Sequence, residues 1–292
     1  MPHYLDPKND LTFKRIFGEH EHLCMSLLNS MLPLEKDRQI VSLKYQSNEL
    51  VPEIPVLKDS IVDVCCTDCL GRQFIVEMQI QWTSSFKSRV LLNASKAYVR
   101  QLDAGGDYRF IQPVYALNFV NDTFDPDPSV YYHDYKVVNI ENVEKQIEGL
   151  ELIFIELPKF RPTNRAEKKL YDLWLTFLTR IKGDTEQVPP ELLQEKITGE
   201  AVKYLERNSY TKAELNTYDK YLDIILTTRT YYVDALAEGE KKGRAESLTE
   251  TVINSARLGL TEEQIQAITG LNREQIAGIL ASSAATNNNN TK

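Results

Sequence analysis

The chain has 292 residues, of which 42% are hydrophobic and 26% are charged, so it can bury a sizeable core and has room for more than one structural unit. It contains no run of about eighteen apolar residues, and MPHYLDPKND lacks the charged and apolar regions of a signal peptide, so neither a membrane span nor secretion is indicated. Four cysteines without a spaced framework favour the reducing cytoplasm, and a formal charge of −8 excludes a generally basic nucleic-acid coat, so any DNA contact has to be local.

The first 160 residues alternate between helical and strand patterns. Apolar residues recur at helical spacing over 9–31, which predicts an opening helix capped by Asn9 or Asp10 and interrupted near Gly18. A second helix is predicted over 86–102, and strands at 38–46, 60–67, 73–81, 112–120, 131–139 and 150–157. This order of elements describes one mixed α/β layer, a sheet flanked by helices.

The chain changes character after Pro158, because helical spacing continues there without strand patterns. Helices are predicted over 167–182, 191–207 and 211–240. A charged stretch around Gly239 and Gly243 follows, and then the phrase GLTEEQIQAITGLNREQIAGIL predicts two short helices joined at Gly270-Leu271. We therefore expect an α/β core at 1–160, a helical extension at 161–245, a helix-turn-helix-like segment at 246–282 and a disordered polar tail at 283–292.

A short turn joins the second and third predicted strands and decides which of their residues face each other. If the loop at 69–71 has three residues and a left-handed glycine, the resulting register places Asp63 opposite Glu77. Gln79 then shares their side of the hairpin, whereas a two-residue loop would put the two carboxylates on opposite faces. The other side is uniformly apolar and is predicted to face the core, with Val62, Val64, Cys66, Phe74, Val76, Met78 and Ile80.

Two carboxylates opposite each other in an antiparallel pair have Cβ atoms about 5 Å apart and destabilise the sheet by repulsion. A bound cation turns that repulsion into attraction, and carboxylate oxygens with neighbouring waters suit octahedral Mg²⁺ or Mn²⁺. Such an ion activates water and neutralises charge on a scissile phosphate, which is the chemistry of phosphodiester hydrolysis. On spacing alone, an amphipathic hairpin with an ordinary polar outer face explains the same residues, so both interpretations stay open.

The hairpin sequence IVDVCCTDCLGRQFIVEMQ, with KNDLTFKRIFG before it and a helix containing Arg89 and Tyr98 after it, resembles the PD-(D/E)XK nuclease family transposases, also called recombination-promoting nucleases. The resemblance extends over nearly the whole chain, including GLTEEQIQAITGL. It implies a restriction-endonuclease-like core in which Asp63 and Glu77 bind Mg²⁺ or Mn²⁺ and Gln79 positions water. It also implies a metal-dependent DNA endonuclease that promotes recombination.

Gln79 keeps a second hypothesis open. The general superfamily pattern has lysine at this position, although E-x-Q is usual in this subgroup, and an amide can orient water but cannot act as a strong base. The alternative is a DNA-binding or oligomeric regulatory protein with a decayed nuclease site. For the nuclease, a homodimer is a candidate assembly, because cutting both strands usually needs two sites.

Charged residues around the hairpin provide further candidates. Asp10 either reaches the same metal or caps its helix, and capping is the simpler role. The basic residues near the site are candidate DNA contacts through phosphate, although any one of them alone is more simply a solvated charge. They are Lys14, Lys87 and Arg89, together with Lys8, Arg15, Lys96 and Arg100.

Other patterns have simpler explanations than a functional site. The CxxC of Cys66 and Cys69 lacks the second pair of ligands that a structural zinc needs. The helix-turn-helix-like segment offers Arg273 for DNA but also Glu274, so oligomerisation or regulation explains it at least as well. Its apolar set comprises Ile265, Ile268, Leu271, Ile276 and Leu280, and a separate packing face is predicted for Tyr218, Tyr221, Tyr231 and Tyr232.

Overall fold

A six-stranded mixed sheet forms the centre of the computed structural model, which describes residues 4–50, 60–102, 106–162 and 169–289. The strands of this part of the chain are β1 (Leu43–Tyr45), β2 (Glu49–Leu50), β3 (Ser60–Ile61), β4 (Val64–Asp68), β5 (Gln73–Gln79), β6 (Val114–Val120), β7 (Tyr132–Asn139) and β8 (Asn142–Glu156). The large sheet has the order β1-β4-β5-β6-β8-β7, and β2 pairs with β3 separately. Strands β5, β6 and β8 are parallel, and the remaining pairs are antiparallel. The expected mixed α/β fold is confirmed.

Helices surround the sheet and continue after it. They are α1 (Asp10–Phe13), α2 (Glu21–Met31), α3 (Phe86–Val99), α4 (Lys169–Arg180), α5 (Pro190–Gln194), α6 (Lys196–Lys203), α7 (Lys212–Arg257), α8 (Glu262–Thr269) and α9 (Arg273–Asn289). A π-helical turn at Lys14–Gly18 connects α1 to α2, so the predicted interruption near Gly18 is confirmed. Asn9 caps α1, because its side chain accepts a hydrogen bond from Leu11 N at 3.0 Å.

One face of the sheet packs against α1, α2, α4 and α6 in a single hydrophobic core. Trp174 of α4 is fully buried, with ring centroids 5.4 Å from Phe17 and 5.6 Å from Phe177. Its indole Nε1 donates to Ser26 Oγ of α2 at 3.1 Å, which satisfies the one polar atom of the side chain. Helices α4 and α6, which follow Pro158 in the sequence, therefore complete the core on this face of the sheet.

The other face of the sheet packs against α3. Parallel strands cannot be joined by a hairpin, and α3 lies in the crossover that connects β5 to β6. Its buried stripe contains Phe86, Val90, Ala94 and Ala97, which pack on Cys65, Ile75, Val114, Ala116 and Phe154 of the sheet. Both faces of the hairpin strands are therefore covered by helices.

Several predicted boundaries differ from the structure. The strand expected over 38–46 is limited to β1, because Lys36–Arg38 forms a 3-10 turn. The strand expected over 60–67 is broken into β3 and β4. In contrast, β8 begins eight residues before the predicted position, because its first half pairs with β7 in an exposed hairpin whose polar residues gave no buried-strand pattern.

The charged stretch around Gly239 and Gly243 does not end a helix, because α7 continues through it for 46 residues in all. Each glycine costs about 1 kcal/mol relative to alanine in a helix. The flanking glutamate, lysine and alanine residues are strong helix formers, and Glu238 pairs with Lys242 at 3.0 Å across one turn. The local helix propensity therefore exceeds the cost of the two glycines.

Two compact units divide the chain, Met1–Tyr221 and Leu222–Lys292. In the second unit, Val252, Ile265 and Ile276 form a small buried core, and Gly270 ends α8 with a φ of 69°. Helices α8 and α9 lie where two short helices are predicted, but α9 continues through Asn289 into the predicted disordered tail. Ile268 is exposed rather than part of their apolar set. The domain boundaries expected at residues 160, 245 and 282 stay predictions.

Among the described helices, none combines the length and the apolar character that crossing a bilayer requires. The tyrosines of α7 do not form the single packing face predicted for them. Tyr218 is buried and its hydroxyl accepts a hydrogen bond from Asp6 N at 2.9 Å, whereas Tyr231 and Tyr232 are exposed. The prediction therefore fails for the last two, which lie in the second compact unit.

We predict that two isoleucine-to-alanine substitutions have very different effects on stability. Ile153 is fully buried in β8, and Ile140 is 95% exposed in the β7–β8 turn. Ile153→Ala should lower the free energy of unfolding by about 2–5 kcal/mol through lost burial and a residual cavity. Ile140→Ala should change it by less than about 0.5 kcal/mol.

The measurement is urea unfolding followed by tryptophan fluorescence. Both tryptophans, Trp82 and Trp174, belong to the first compact unit, so the signal reports on the unit that contains the two substitutions. Equal destabilisation by Ile153→Ala and Ile140→Ala would contradict the placement of the core.

Candidate active site

The β4–β5 hairpin has the register that its turn chemistry predicts. Val64 pairs with Val76, and Gly71 closes the three-residue loop with a φ of 82°. The Asp68 carboxylate accepts hydrogen bonds from Arg72 N at 2.9 Å and from Arg72 Nε at 2.8 Å, and both side chains are buried. A buried charge-assisted pair therefore holds the two strand ends together at the loop.

Asp63 lies in a bend immediately before β4, where pairing with β5 has not yet begun. Its Oδ2 accepts a hydrogen bond from Met78 N at 2.7 Å. Extending the observed register by one pair places Asp63 opposite Glu77. The side chain of Asp63 thus takes the position of a strand partner and is fixed at the edge of the hairpin.

The same bend changes which side of the sheet Val62 occupies. Val62 packs with Cys65 and Ile75 under α3, not with Val64 on the opposite face. Its predicted position on the core face with Val64 is therefore wrong, because the simple alternation of a strand is broken between β3 and β4. The other predicted members of that face lie in or against the core formed with α1 and α2.

Glu77 is enclosed between β5 and α3, with 7% of its side chain exposed. Asn93 Nδ2 donates to Glu77 Oε1 at 3.0 Å, and Arg89 Nη2 lies 3.5 Å from Glu77 Oε2. Asn93 and Arg89 are four residues apart, so they lie on one side of α3. In the neighbouring strand β6, the residue paired with Glu77 is Asn118, which is also buried.

Burial dominates the electrostatics of both carboxylates. It raises the pKa of Asp63 from 3.8 to about 6, with further increases from Glu77 and Asp10 and decreases from Met78 N–H and Lys14. Burial likewise raises the pKa of Glu77, against the lowering influence of Asn93 and Arg89. Two neighbouring carboxyl groups are therefore costly to ionise, and a cation placed between them would favour the ionised forms of both.

One cationic side chain approaches each carboxylate. Lys14 Nζ lies 2.7 Å from Asp10 Oδ1 and 3.8 Å from Asp63 Oδ1. On the other side, Arg89 Nη2 donates to Gln79 Oε1 at 2.6 Å. Asp10 does not cap its helix, since Asn9 does, so the capping role expected for it is wrong. Asp10 instead places a third carboxylate near Asp63 and shares Lys14 with it.

The polar groups here suit a hydrated divalent cation. Asn93 Oδ1 and Asn118 Oδ1 are buried and accept no hydrogen bond from any described residue, and both asparagines neighbour Glu77. The described residues contain no group of three or more histidine, cysteine, aspartate and glutamate side chains arranged to hold a metal ion. Two carboxylates with water and substrate oxygens match Mg²⁺, which usually keeps several waters and few protein ligands. Asp63 and Glu77 are the residues that would hold it.

The remaining basic candidates occupy different surroundings. Lys87 Nζ donates to the hydroxyl of Tyr135 at 2.9 Å and lies within 5.7 Å of the ring centroids of Trp82, Phe124 and Tyr135. Lys8 is buried and bound to Asp6 and to Leu178 O, so the expectation that it reaches phosphate is wrong. Arg15 stacks over Tyr210, with its guanidinium carbon 4.1 Å from the ring centroid. Lys14 and Arg89 each lie within 4 Å of one carboxylate of the pair.

Two buried asparagines at the site were not predicted from the sequence. Asn93 follows Arg89 by four residues on a helix whose buried positions are otherwise Phe86, Val90, Ala94 and Ala97. A polar amide in such an apolar stripe is a recognisable signal, because a buried amide needs a partner. Asn118 interrupts the apolar strand β6 in the same way.

A family model described as PD-(D/E)XK nuclease family transposase matches residues 7–232. The matched segment includes α1, the hairpin of Asp63 and Glu77, and α3 with Arg89 and Asn93. Comparison with curated proteins and with solved structures gives no match.

We predict that Asp63→Asn stabilises the metal-free protein above pH 6. Asparagine keeps an oxygen for the Met78 N–H and removes a charge that burial disfavours. Because the pKa of Asp63 is raised from 3.8 to about 6 on folding, its favourable contribution is complete below pH 3.8 and is lost as the pH rises through about 6. The predicted gain is on the order of 1–3 kcal/mol.

Urea unfolding in EDTA at pH 5 and pH 8 measures this difference. The gain of Asp63→Asn over the wild type should be larger at pH 8 than at pH 5. Asp107→Asn, where Arg109 lowers the pKa of a half-exposed carboxyl, is the control and should not show a gain that grows with pH. A loss of stability in Asp63→Asn at pH 8 would contradict the conclusion that burial disfavours the charge of Asp63.

Proposed function

This chain belongs to the PD-(D/E)XK nuclease family transposases, and from that premise we propose that it is a metal-dependent DNA endonuclease that promotes recombination. The observation that carries the proposal is the pair Asp63 and Glu77, a half-buried and a buried carboxylate with raised pKa values, held on adjacent segments of one hairpin. Repulsion between them is a stability cost that a divalent cation would remove.

Asp63 and Glu77 would hold Mg²⁺ or Mn²⁺, which when bound supplies Lewis acidity for activating water and for neutralising charge on the scissile phosphate. The protein orients the two ligands through groups that are already in place. Met78 N–H fixes one oxygen of Asp63, and Asn93 Nδ2 fixes one oxygen of Glu77. The other oxygens make longer contacts, Asp63 Oδ1 to Lys14 at 3.8 Å and Glu77 Oε2 to Arg89 at 3.5 Å, and these would be left for the ion.

The substrate side of the site requires local positive charge, because the chain as a whole carries −8. Lys14 and Arg89 supply that charge from two different helices beside the carboxylates. Such a local pair suits a phosphodiester backbone without making the whole surface basic. We propose DNA as the substrate, the cytoplasm as the compartment, and a homodimer as the form that would cut both strands.

The regulatory alternative rests on the contacts of Gln79. Both polar atoms of the Gln79 amide are engaged, since Oε1 accepts from Arg89 and Nε2 donates to Gln81 O at 2.6 Å. These two contacts fix the orientation of the amide and leave one N–H and one oxygen lone pair for water. If these do not position water, the site would leave a protein that binds DNA and does not cut it.

We predict that purified protein cuts or nicks plasmid DNA with Mg²⁺ or Mn²⁺ and that EDTA stops the reaction. Asp63→Asn and Glu77→Gln should each lower the rate by about 100-fold or more, because each removes a charged ligand without changing the shape of the site. Glu144→Gln, at an exposed position of β8, is the matched control and should cut like the wild type.

A binding measurement separates the two functions. Mn²⁺ should raise the melting temperature of the wild type and of Glu144→Gln, but not that of an Asp63→Asn, Glu77→Gln double variant. Undiminished cutting by a clean preparation of Asp63→Asn would disprove the assignment of the site. DNA binding without cleavage under any divalent ion would support the regulatory alternative.

A further inference from the structure

The lysine of the general PD-(D/E)XK pattern is absent, because Gln79 occupies its position two residues after Glu77. A neutral amide cannot provide the positive charge of a lysine. In phosphodiester hydrolysis a water oxygen bonds to phosphorus, the bond to the leaving sugar oxygen breaks, and that oxygen takes up a proton. Negative charge grows on the phosphate oxygens meanwhile, so a site without a nearby cation loses an important source of stabilisation.

Arg89 brings such a cation to the position next to Gln79. Its Nη2 donates to Gln79 Oε1 at 2.6 Å and lies 3.5 Å from Glu77 Oε2. The guanidinium carbon lies 4.8 Å from the centroid of the Phe86 ring, which restricts the side chain from a third direction. Arg89 is 52% exposed while Glu77 is 7% exposed, so the guanidinium lies where the site opens to solvent and to a substrate.

The Gln79 amide is oriented for this contact. Its Nε2 donates to Gln81 O at 2.6 Å, and this bond turns Oε1 toward Arg89. An amide oxygen is a neutral acceptor, so it holds the guanidinium without cancelling its charge. Gln79 and Arg89 together place a positive charge beside Glu77.

Lys14 is less suited to the same role. Its ammonium lies 2.7 Å from the carboxylate of Asp10 and 3.8 Å from that of Asp63, so two negative groups compensate it. The shortest contact of Arg89 is to a neutral oxygen, and its one carboxylate neighbour, Glu77, would be shared with the metal. A guanidinium also has five N–H donors, and the contacts to Gln79 and Glu77 are made by the nitrogen Nη2.

We propose that Arg89 is the cationic catalytic residue of this site and that Gln79 is its positioning residue. Arg89 donates hydrogen bonds to the phosphate oxygens on which charge develops, and Gln79 acts through Arg89 and not by holding water. This inference deepens the nuclease function proposed above and rests on it. It assigns the charge of the missing lysine to the first turn of α3.

The test is a set of substitutions that remove and relocate the charge. Arg89→Ala should lower kcat by about 100-fold or more, with KM changing less than about five-fold, because the contact is strongest in the transition state. Gln79→Ala should lower kcat by about ten-fold through misplacement of the guanidinium. The double variant Gln79→Ala, Arg89→Ala should be no slower than Arg89→Ala alone, because Gln79 has no role without Arg89.

Relocating the charge provides a second measurement, which would not change if Arg89 had only a structural role. A Gln79→Lys, Arg89→Ala variant should recover at least about ten-fold in kcat over Arg89→Ala, because lysine restores a cation beside Glu77. Mn²⁺ affinity, measured by the shift in melting temperature, should be retained in Arg89→Ala. Arg109→Ala, whose side chain is 84% exposed and pairs with Asp107, is the matched control and should cut like the wild type.

The outcomes distinguish the two proposals. If the wild type cuts DNA and Asp63→Asn does not, the nuclease function stands, and full activity in Arg89→Ala would then overturn the role of Arg89 alone. Multiplying losses in the Gln79→Ala, Arg89→Ala variant, or no recovery with Gln79→Lys, would overturn the positioning role of Gln79. If the wild type fails to cut under any divalent ion, both proposals fall.

Discussion

The register of β4 against β5 is the constraint on which the rest of the site depends. It is set at the loop, where Gly71 adopts a left-handed conformation and the buried Asp68–Arg72 pair closes the turn. A slip of one residue would move every side chain of one strand to the opposite face of the sheet. Glu77 would then lie in the core beneath α1 and α2, and the carboxylates would separate. The turn, about six residues along the chain from both Asp63 and Glu77, therefore determines whether the two carboxylates lie together.

The topology of the sheet supplies the second requirement, which is burial. Because β5 and β6 are parallel, the chain between them has to cross over, and α3 covers the face that carries Glu77. The same helix raises the pKa of Glu77 by excluding water, and it contributes Asn93 and Arg89, which contact the Glu77 carboxylate. Helix α3 thus destabilises the charged form of Glu77 by burying it, and it reduces that destabilisation through Asn93 and Arg89. The balance leaves a Glu77 carboxylate whose ionised form a nearby cation would stabilise.

Local rules of the sequence predict part of this arrangement and miss the rest for identifiable reasons. The hairpin register followed from turn chemistry, since a glycine at the end of a three-residue loop has few alternatives. The bend at Asp63 was not predicted. The apolar and polar residues still alternate through Val62 in the sequence, although β4 begins only at Val64 and Val62 packs under α3. Likewise, the contact between Gln79 and Arg89 depends on how α3 is rotated about its axis over the sheet. That rotation is a property of packing between distant segments, which spacing within one segment does not encode.

Arg89 was identified from the sequence as one of several cations beside an acidic site, and only its surroundings distinguish it from the others. Lys8 makes buried contacts, Lys87 packs against aromatic rings, and Lys14 pairs with two carboxylates. Arg89 has a neutral acceptor at its shortest contact and lies 3.5 Å from Glu77. A lysine at position 79, as in the general pattern, would place the cation on the same strand as Glu77. A guanidinium from α3 keeps the cation on a separate element, restrained by an amide and an aromatic ring, so its charge stays available to a phosphate. If Arg89 has the role proposed for it, Gln79 follows from where the positive charge is held and needs no decay of the site to explain it.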